Sequence, residues 1–132
     1  MKLTTKGRYT LQALLDITSR SSGKAVKLKD ISDRQQIPLH YLEKLFNRLK
    51  QQGIVKTVKG PGGGQLLTKN PTVREVLEAV GEVMDYAGDL NSDGTAATSE
   101  RHHLATYIGE FDTVVTLFLN RTLEELSKTE EV

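Results

Sequence analysis

Apolar positions along the chain fall into helical spacing in several stretches and into a strand-like run in one. Leu11, Leu14 and Leu15 recur at i, i+3, i+4 with Ala13 and Ile17 beside them, which predicts a helix from about Thr4 or Thr5 to about Arg20. Ser21-Ser22-Gly23 ends it. A short second helix is expected at about Lys29–Gln36, with Leu28 and Ile31 on its buried side. Ile37-Pro38 then reads as a turn, because proline disfavours helix at the residue before it yet is accepted where the next helix starts. The third helix, about Leu39–Gln52, places Leu42, Leu45, Phe46 and Leu49 at i, i+3, i+4, i+7. Its opposite side presents His40, Glu43, Lys44, Asn47, Arg48 and Lys50 outward, and Gly53 suits the C-terminal cap.

The period then changes. Ile54-Val55-Lys56-Thr57-Val58 is rich in β-branched residues, and Gln65-Leu66-Leu67 reads as the return strand of a hairpin. Lys59-Gly60-Pro61-Gly62-Gly63-Gly64 lies between them; its glycines allow positive φ and close approach of backbone to another surface. Lysines 56, 59 and 69 put charge on the same element. Helix, turn, helix and basic hairpin follow in the order that makes a winged helix.

Beyond the hairpin, Asn70-Pro71-Thr72 opens another helix. Thr72 with Glu75 matches a capping box, and Val73, Val76, Leu77 and Val80 repeat the helical pattern. This helix is expected to end near Asp85–Gly88, ahead of a polar loop over residues 88–99. A long helix from about Ser99 to Asn120 carries Leu104, Tyr107, Ile108, Phe111, Val114, Val115, Phe118 and Leu119. That apolar surface is too wide for a helix lying alone on a small domain, so part of it is expected to meet a second chain. Thr122-Leu123-Glu124-Glu125 starts a short closing turn. The expected fold is mainly α: a winged helix-turn-helix with a two-stranded wing, followed by a long C-terminal dimerisation helix.

Charge sharpens this picture. Residues 1–69 hold 14 of the 18 Lys and Arg and 4 of the 17 Asp and Glu, which makes that part +10 and the remainder −9. A near-neutral total thus hides a basic half suited to a polyanion and an acidic half with another task. The chain has no cysteine, which excludes disulfides, thiol catalysis and thiolate-bound metal. With no tryptophan and few aromatics, base-stacking platforms for single strands are not expected. No apolar run approaches the roughly 18–20 residues that cross a bilayer. The N-terminus carries no apolar leader, so no membrane partner and a cytoplasmic location are expected.

Catalysis finds little support. Gly60–Gly64 lacks the Gly-Lys-Ser/Thr ending and following helix of a P-loop. His102 and His103 are adjacent and diverge on a helix, and Glu78, Glu82 and Asp85 run along one face as solvated surface. Asp89, Asn91, Asp93, Gly94 and Glu100 do fit the calcium-loop pattern. Ala96, however, stands where such loops normally pack an apolar side chain against a paired loop, and no second loop exists, so an acidic linker is the expected reading. The chain is not expected to be an enzyme.

Three separated motifs carry a resemblance. Met1-Lys-Leu-Thr-Thr-Lys-Gly-Arg-Tyr9, Ile37-Pro-Leu-His-Tyr-Leu-Glu43 and Val58-Lys-Gly-Pro-Gly-Gly-Gly-Gln-Leu-Leu67 closely resemble the IscR/NsrR family of bacterial winged-helix regulators. The segment Phe118–Leu126 is similar to that family's C-terminal end. The resemblance implies a homodimer whose long C-terminal helices cross and place two winged helices on a partly palindromic duplex operator. It implies a sequence-specific transcriptional regulator, a repressor of genes for iron–sulfur assembly, nitrosative stress or cysteine metabolism, with iron–sulfur cluster homeostasis as the expected link.

By position, it puts Leu39, His40, Tyr41, Glu43 and Lys44 in the major groove and the wing, Lys59, Gly60, Gly62 and Gly63, in the minor groove. Arg48 and Lys56 join the same surface, and Thr4, Thr5 and Lys6 are expected on phosphate. It also implies three parts: a DNA-binding domain at 1–85, a sensor-type loop at 86–100, and a dimerisation helix with C-terminal turn at 101–132. The best-studied members of that family hold a [2Fe–2S] cluster on three cysteines and a histidine in the loop before the long helix. Here Ser92, Ser99 and His102 keep part of that spacing without a thiol. No cofactor is expected in this sequence; a [2Fe–2S] cluster would follow only if Ser92 and Ser99 replace cysteines. The competing functional class is a winged helix that docks a protein and binds no DNA, which leaves the wing lysines without a task.

Overall fold

The computed structural model describes residues 3–20, 23–82, 100, 103, 110 and 113–128. Thr4 caps helix α1 (Thr5–Arg20): its hydroxyl accepts from the Gly7 N–H at 3.2 Å and its carbonyl from the Arg8 N–H at 2.9 Å. Helices α2 (Leu28–Gln35) and α3 (Leu39–Gln51) follow, then strands β1 (Val55–Val58) and β2 (Gly64–Leu67) and helix α4 (Val73–Ala79). Residues 113–119 are helical, here α5, and α6 is Leu123–Ser127.

One apolar core joins these elements. Leu11, Leu14 and Ile17 of α1 lie with Ile31 of α2, Leu42, Leu45, Phe46 and Leu49 of α3, and Val73, Val76 and Leu77 of α4. Val115, Leu119 and Leu123 close the same core from the C-terminal side. Pro71 and Arg121 exchange main-chain bonds with that end: Val73 N–H donates to Arg121 O at 2.8 Å, and Leu123 N–H to Pro71 O at 3.1 Å. The starts of α4 and α6 are thereby held side by side, each capped by a threonine, Thr72 and Thr122. The reciprocal capping box of Thr72 and Glu75 forms as the sequence predicts.

Helix ends differ from the sequence expectation in two places. Gln36, expected inside the second helix, sits past its end with φ 55°, and Ile37 N–H bonds back to Ser32 O at 3.2 Å. The helix opened by Thr72, expected to reach residues 85–88, ends at Ala79. Gly81, at φ 82°, supplies the left-handed residue that closes it. Its N–H reaches Glu78 O at 3.1 Å while Glu82 N–H reaches Leu77 O at 2.9 Å. The same pair of bonds ends α3 at Gly53, as its sequence predicts: Gly53 N–H to Lys50 O and Ile54 N–H to Leu49 O. Half of the long helix expected at 99–120 lies outside the described residues; of its described positions, 100, 103, 110 and 113–119 are helical and Asn120 is a turn.

Candidate nucleic-acid interface

The turn between α2 and α3 is set from beneath. Ile37 is buried, Pro38 O accepts from the Tyr41 and Leu42 N–H groups at 3.1 Å, and Ser32 Oγ donates to Ile37 O. Asp16, buried on α1, accepts from Arg34 Nη2 at 2.7 Å, Arg34 Nε at 3.1 Å and Gln35 Nε2 at 2.7 Å. These bonds seat α2 on α1 and so fix the angle at which α3 leaves. Burial alone would raise the Asp16 carboxyl, but hydrogen bonds from Arg34 and Gln35 and the charges of Arg34 and Arg20 hold it below the usual carboxylate range.

With its apolar stripe in the core, α3 turns His40, Glu43, Lys44, Asn47, Arg48 and Lys50 to the exposed side. Leu39 and Tyr41 are half-buried, and the Tyr41 ring meets the Tyr9 ring edge-on, centroids 5.7 Å apart. Arg8, which sequence reasoning passed over, lies over the Tyr9 ring at 5.8 Å. Glu43, Asn47 and Lys50 share one crease with Thr57 and Gln65 of the hairpin, with Leu28 and Phe46 completing it. Helix face and hairpin are therefore one continuous surface.

The hairpin pairs antiparallel, Val55 with Leu67 through Val58 with Gly64. Its tip is a type II turn: Gly63 N–H bonds to Gly60 O at 2.9 Å, with Pro61 at the second position and Gly62 at φ 75° in the third. Lys56, Lys59, Gly60 and Gly62 are exposed. Gly63 differs from the expectation: it is buried, and a Cβ there would fall 2.2 Å from Val58 O. It closes the turn and is not presented at the surface. Gly64 serves a similar end, because Gln65 exchanges main-chain bonds with Val26 (2.7 and 2.9 Å), which brings Val26 too close for a Cβ at residue 64.

Lys44, Lys50, Lys56 and Lys59 form no ion pair with another described residue. Lys69, expected to add charge to the wing, is instead bonded to Glu75. Arg48 spends one N–H on Val80 O at 2.8 Å, tying α3 to the end of α4. At the start of α1, Thr4 and Thr5 are exposed and Lys6 is half-buried. Glu82, read from the sequence as solvated surface, reaches back instead: Oε1 accepts from the Thr4 hydroxyl and from the Gly7 N–H, the latter at 3.0 Å. Contacts made across some 75 positions leave no periodic signal.

No group of three His, Cys, Asp or Glu side chains is placed to hold a metal among the described residues. Asp89, Asn91, Ser92, Asp93, Ser99 and His102 lie outside them; Glu100 is exposed. No described helix is long and apolar enough to cross a membrane.

The profile of the Rrf2 family, described as an iron-dependent transcriptional regulator, matches residues 3–129. The chain belongs to the Rrf2 family. It is 41% identical over 135 residues to the HTH-type transcriptional regulator IscR of Escherichia coli, an alignment that spans all of this chain and 83% of that protein. Among solved structures it matches CymR (YrzC), the global cysteine regulator of B. subtilis, with a TM-score of 0.77 and 25% identity over 99% of both chains. T. potens IscR shares the fold, with a TM-score of 0.69 and 23% identity over all of this chain and 94% of that one. This Rrf2 protein is thus a winged-helix, DNA-binding transcription regulator and not an enzyme. Iron, which the family description names, finds no thiolate here: the donor set lacks cysteine, and a serine hydroxyl is a poor ligand for an iron–sulfur centre.

Proposed function

We propose that this Rrf2 protein acts as a homodimeric, sequence-specific repressor on a partly palindromic duplex operator. The observation that carries this reading is the continuous surface of α3 and hairpin, on which Lys44, Lys50, Lys56 and Lys59 have no described acidic partner. Ammonium groups without an acidic partner among the described residues, on an exposed helix and an adjoining finger, suit a row of phosphates. In the major groove, His40 and Lys44 donate to base acceptors or phosphate, and Glu43 accepts from cytosine N4. Leu39 and Tyr41 support that helix face, while Lys59, Gly60 and Gly62 enter the minor groove. Lys56 and Arg48 flank the phosphates, and Thr4, Thr5 and Lys6 hold another at the start of α1.

The dimer forms through the C-terminal part, where Val114 and Leu117 are about two-thirds exposed. The regulator works without thiolate-bound iron, and residues 86–100 carry whatever signal it reads. Its genes belong to iron–sulfur cluster homeostasis, and its place is the cytoplasm, where its operator is. Selection of bound fragments from a genomic library tests the proposal. Recovery of a two-fold symmetric motif upstream of such genes is expected; recovery of no motif would refute sequence-specific repression.

A further inference from the structure

With α3 in the major groove and the hairpin tip in the minor groove, one strand of the duplex must pass between them. Adjacent grooves of B-form DNA share a sugar-phosphate strand as their common wall. A helix in one groove and a finger in the next straddle that wall. The surface beneath it is the crease between α3 and the hairpin. Glu43, Asn47 and Lys50 line it from the helix, Thr57 and Gln65 from the strands.

The chemistry of that crease suits a phosphate. Lys50 is exposed and has no acidic partner among the described residues. Asn47, also exposed, neighbours it one turn earlier and carries amide donors. Thr57 and Gln65 stand opposite each other in the hairpin register, so their side chains share one face. Gln65 Nε2 donates to Thr57 Oγ1 at 3.3 Å. A hydroxyl that accepts in this way keeps its own proton to donate. Val26 holds the main chain of Gln65 with bonds of 2.7 and 2.9 Å, which sets this pair in place before any ligand arrives. Leu28 and Phe46 complete the lining with apolar side chains that do not compete for the donors. The carboxylate in the crease, Glu43, lies seven residues from Lys50, about 10 Å along the helix, toward the end of α3 assigned to the bases.

We propose that Asn47, Lys50, Thr57 and Gln65 form a phosphate clamp on the strand that separates the two grooves. None of the four reads a base; together they fix the register in which α3 and the hairpin tip enter adjacent grooves. This inference rests on the assignment of α3 to the major groove and the tip to the minor groove.

The probe is the tightest-binding duplex that the full chain selects from a random-sequence pool, remade with single uncharged methylphosphonate linkages at successive positions. Binding is followed by fluorescence anisotropy over a range of salt. Lys50→Ala and Thr57→Val, the latter keeping the β-branched shape, are each expected to weaken binding to the unmodified duplex about tenfold. Lys50→Ala should also lower the salt slope by about one. Lys128→Ala makes the same change of charge at the end of α6 and should alter affinity by less than about twofold. At one linkage in each half-site, neutralisation should weaken the unsubstituted chain and leave Lys50→Ala and Thr57→Val no weaker than they already are. Losses that add at every linkage, as a loosened hairpin would give, overturn the clamp alone. Undiminished binding by both variants does the same, and in either case the proposed function stands. If the unsubstituted chain selects no duplex and ignores DNA at low salt, the clamp falls together with the proposed function.

Discussion

Arg34 holds the buried carboxylate of Asp16 with two hydrogen bonds, Nη2 to Oδ1 at 2.7 Å and Nε to Oδ2 at 3.1 Å. The pair joins α1 to α2 across the core edge, and Gln35 adds a third donor from the same helix. A fork of this shape resists rotation about any one bond, so α2 is oriented and not merely attached. Since only three residues separate the end of α2 from the start of α3, the direction of its exposed face depends on this buried contact.

Asp16→Ala should therefore lower stability by about 2–3 kcal/mol, the range for losing hydrogen bonds to a charged group at a buried position. Urea unfolding measures it. A cost under about 0.5 kcal/mol would mean that the fork does not anchor α2.

The same residue predicts an acid limit. Its carboxyl is held below the ordinary range, so the stabilisation it gives is complete above the unfolded value of about 4 and is lost as pH falls through the folded one. Unfolding midpoints measured from neutral to acid pH should fall below pH of about 4, and Asp16→Asn should flatten part of that decline. An identical acid profile in the variant would contradict this.

Gly63→Ala places a methyl against Val58 O and Gly60 O inside the hairpin tip. The turn must open, at roughly 1–3 kcal/mol, and duplex affinity should fall with it. Unchanged affinity, measured by gel shift, would show that the tip geometry is irrelevant to binding.

Lys59→Ala and Glu43→Ala should differ in kind. Removing Lys59 weakens binding to every duplex and reduces the salt slope by about one, whereas removing Glu43 alters which sequences bind. Equal effects of both on all sequences would contradict the assigned roles.

Leu117→Glu puts a charge on an exposed apolar position of α5. The substituted chain should sediment as a monomer where the unsubstituted one sediments as a dimer, with the fold unaffected because Val115 and Leu119, not Leu117, face the core. A variant that stays dimeric would move the interface elsewhere.

Much of this was readable before any coordinates. The stripe Leu42, Leu45, Phe46, Leu49 had to be buried, which put His40, Glu43 and Lys44 outside, and the glycine-rich tip between two apolar runs had to be a hairpin. Thr72 and Glu75 announced a helix start because capping is local chemistry. The end of that helix was not legible: Val80 continues the apolar spacing, while Gly81 ends the helix by adopting a left-handed conformation. The fork from Arg34, the strand-like bonds of Val26 to Gln65, the capture of Lys69 by Glu75 and the reach of Glu82 to Gly7 were also hidden. Periodicity states which face is buried and says nothing about which polar group will find which across the fold.

The central claim, that α3 and the hairpin form the duplex-binding face, is tested most directly by mapping amide resonances while a selected duplex is added to the full-length protein. Shifts should concentrate at Thr4–Gly7, His40–Lys44 and Lys59–Gly62 and leave Leu123–Ser127 of α6 in place. Shifts confined to α5 and α6, or none at all with duplex bound, would contradict it.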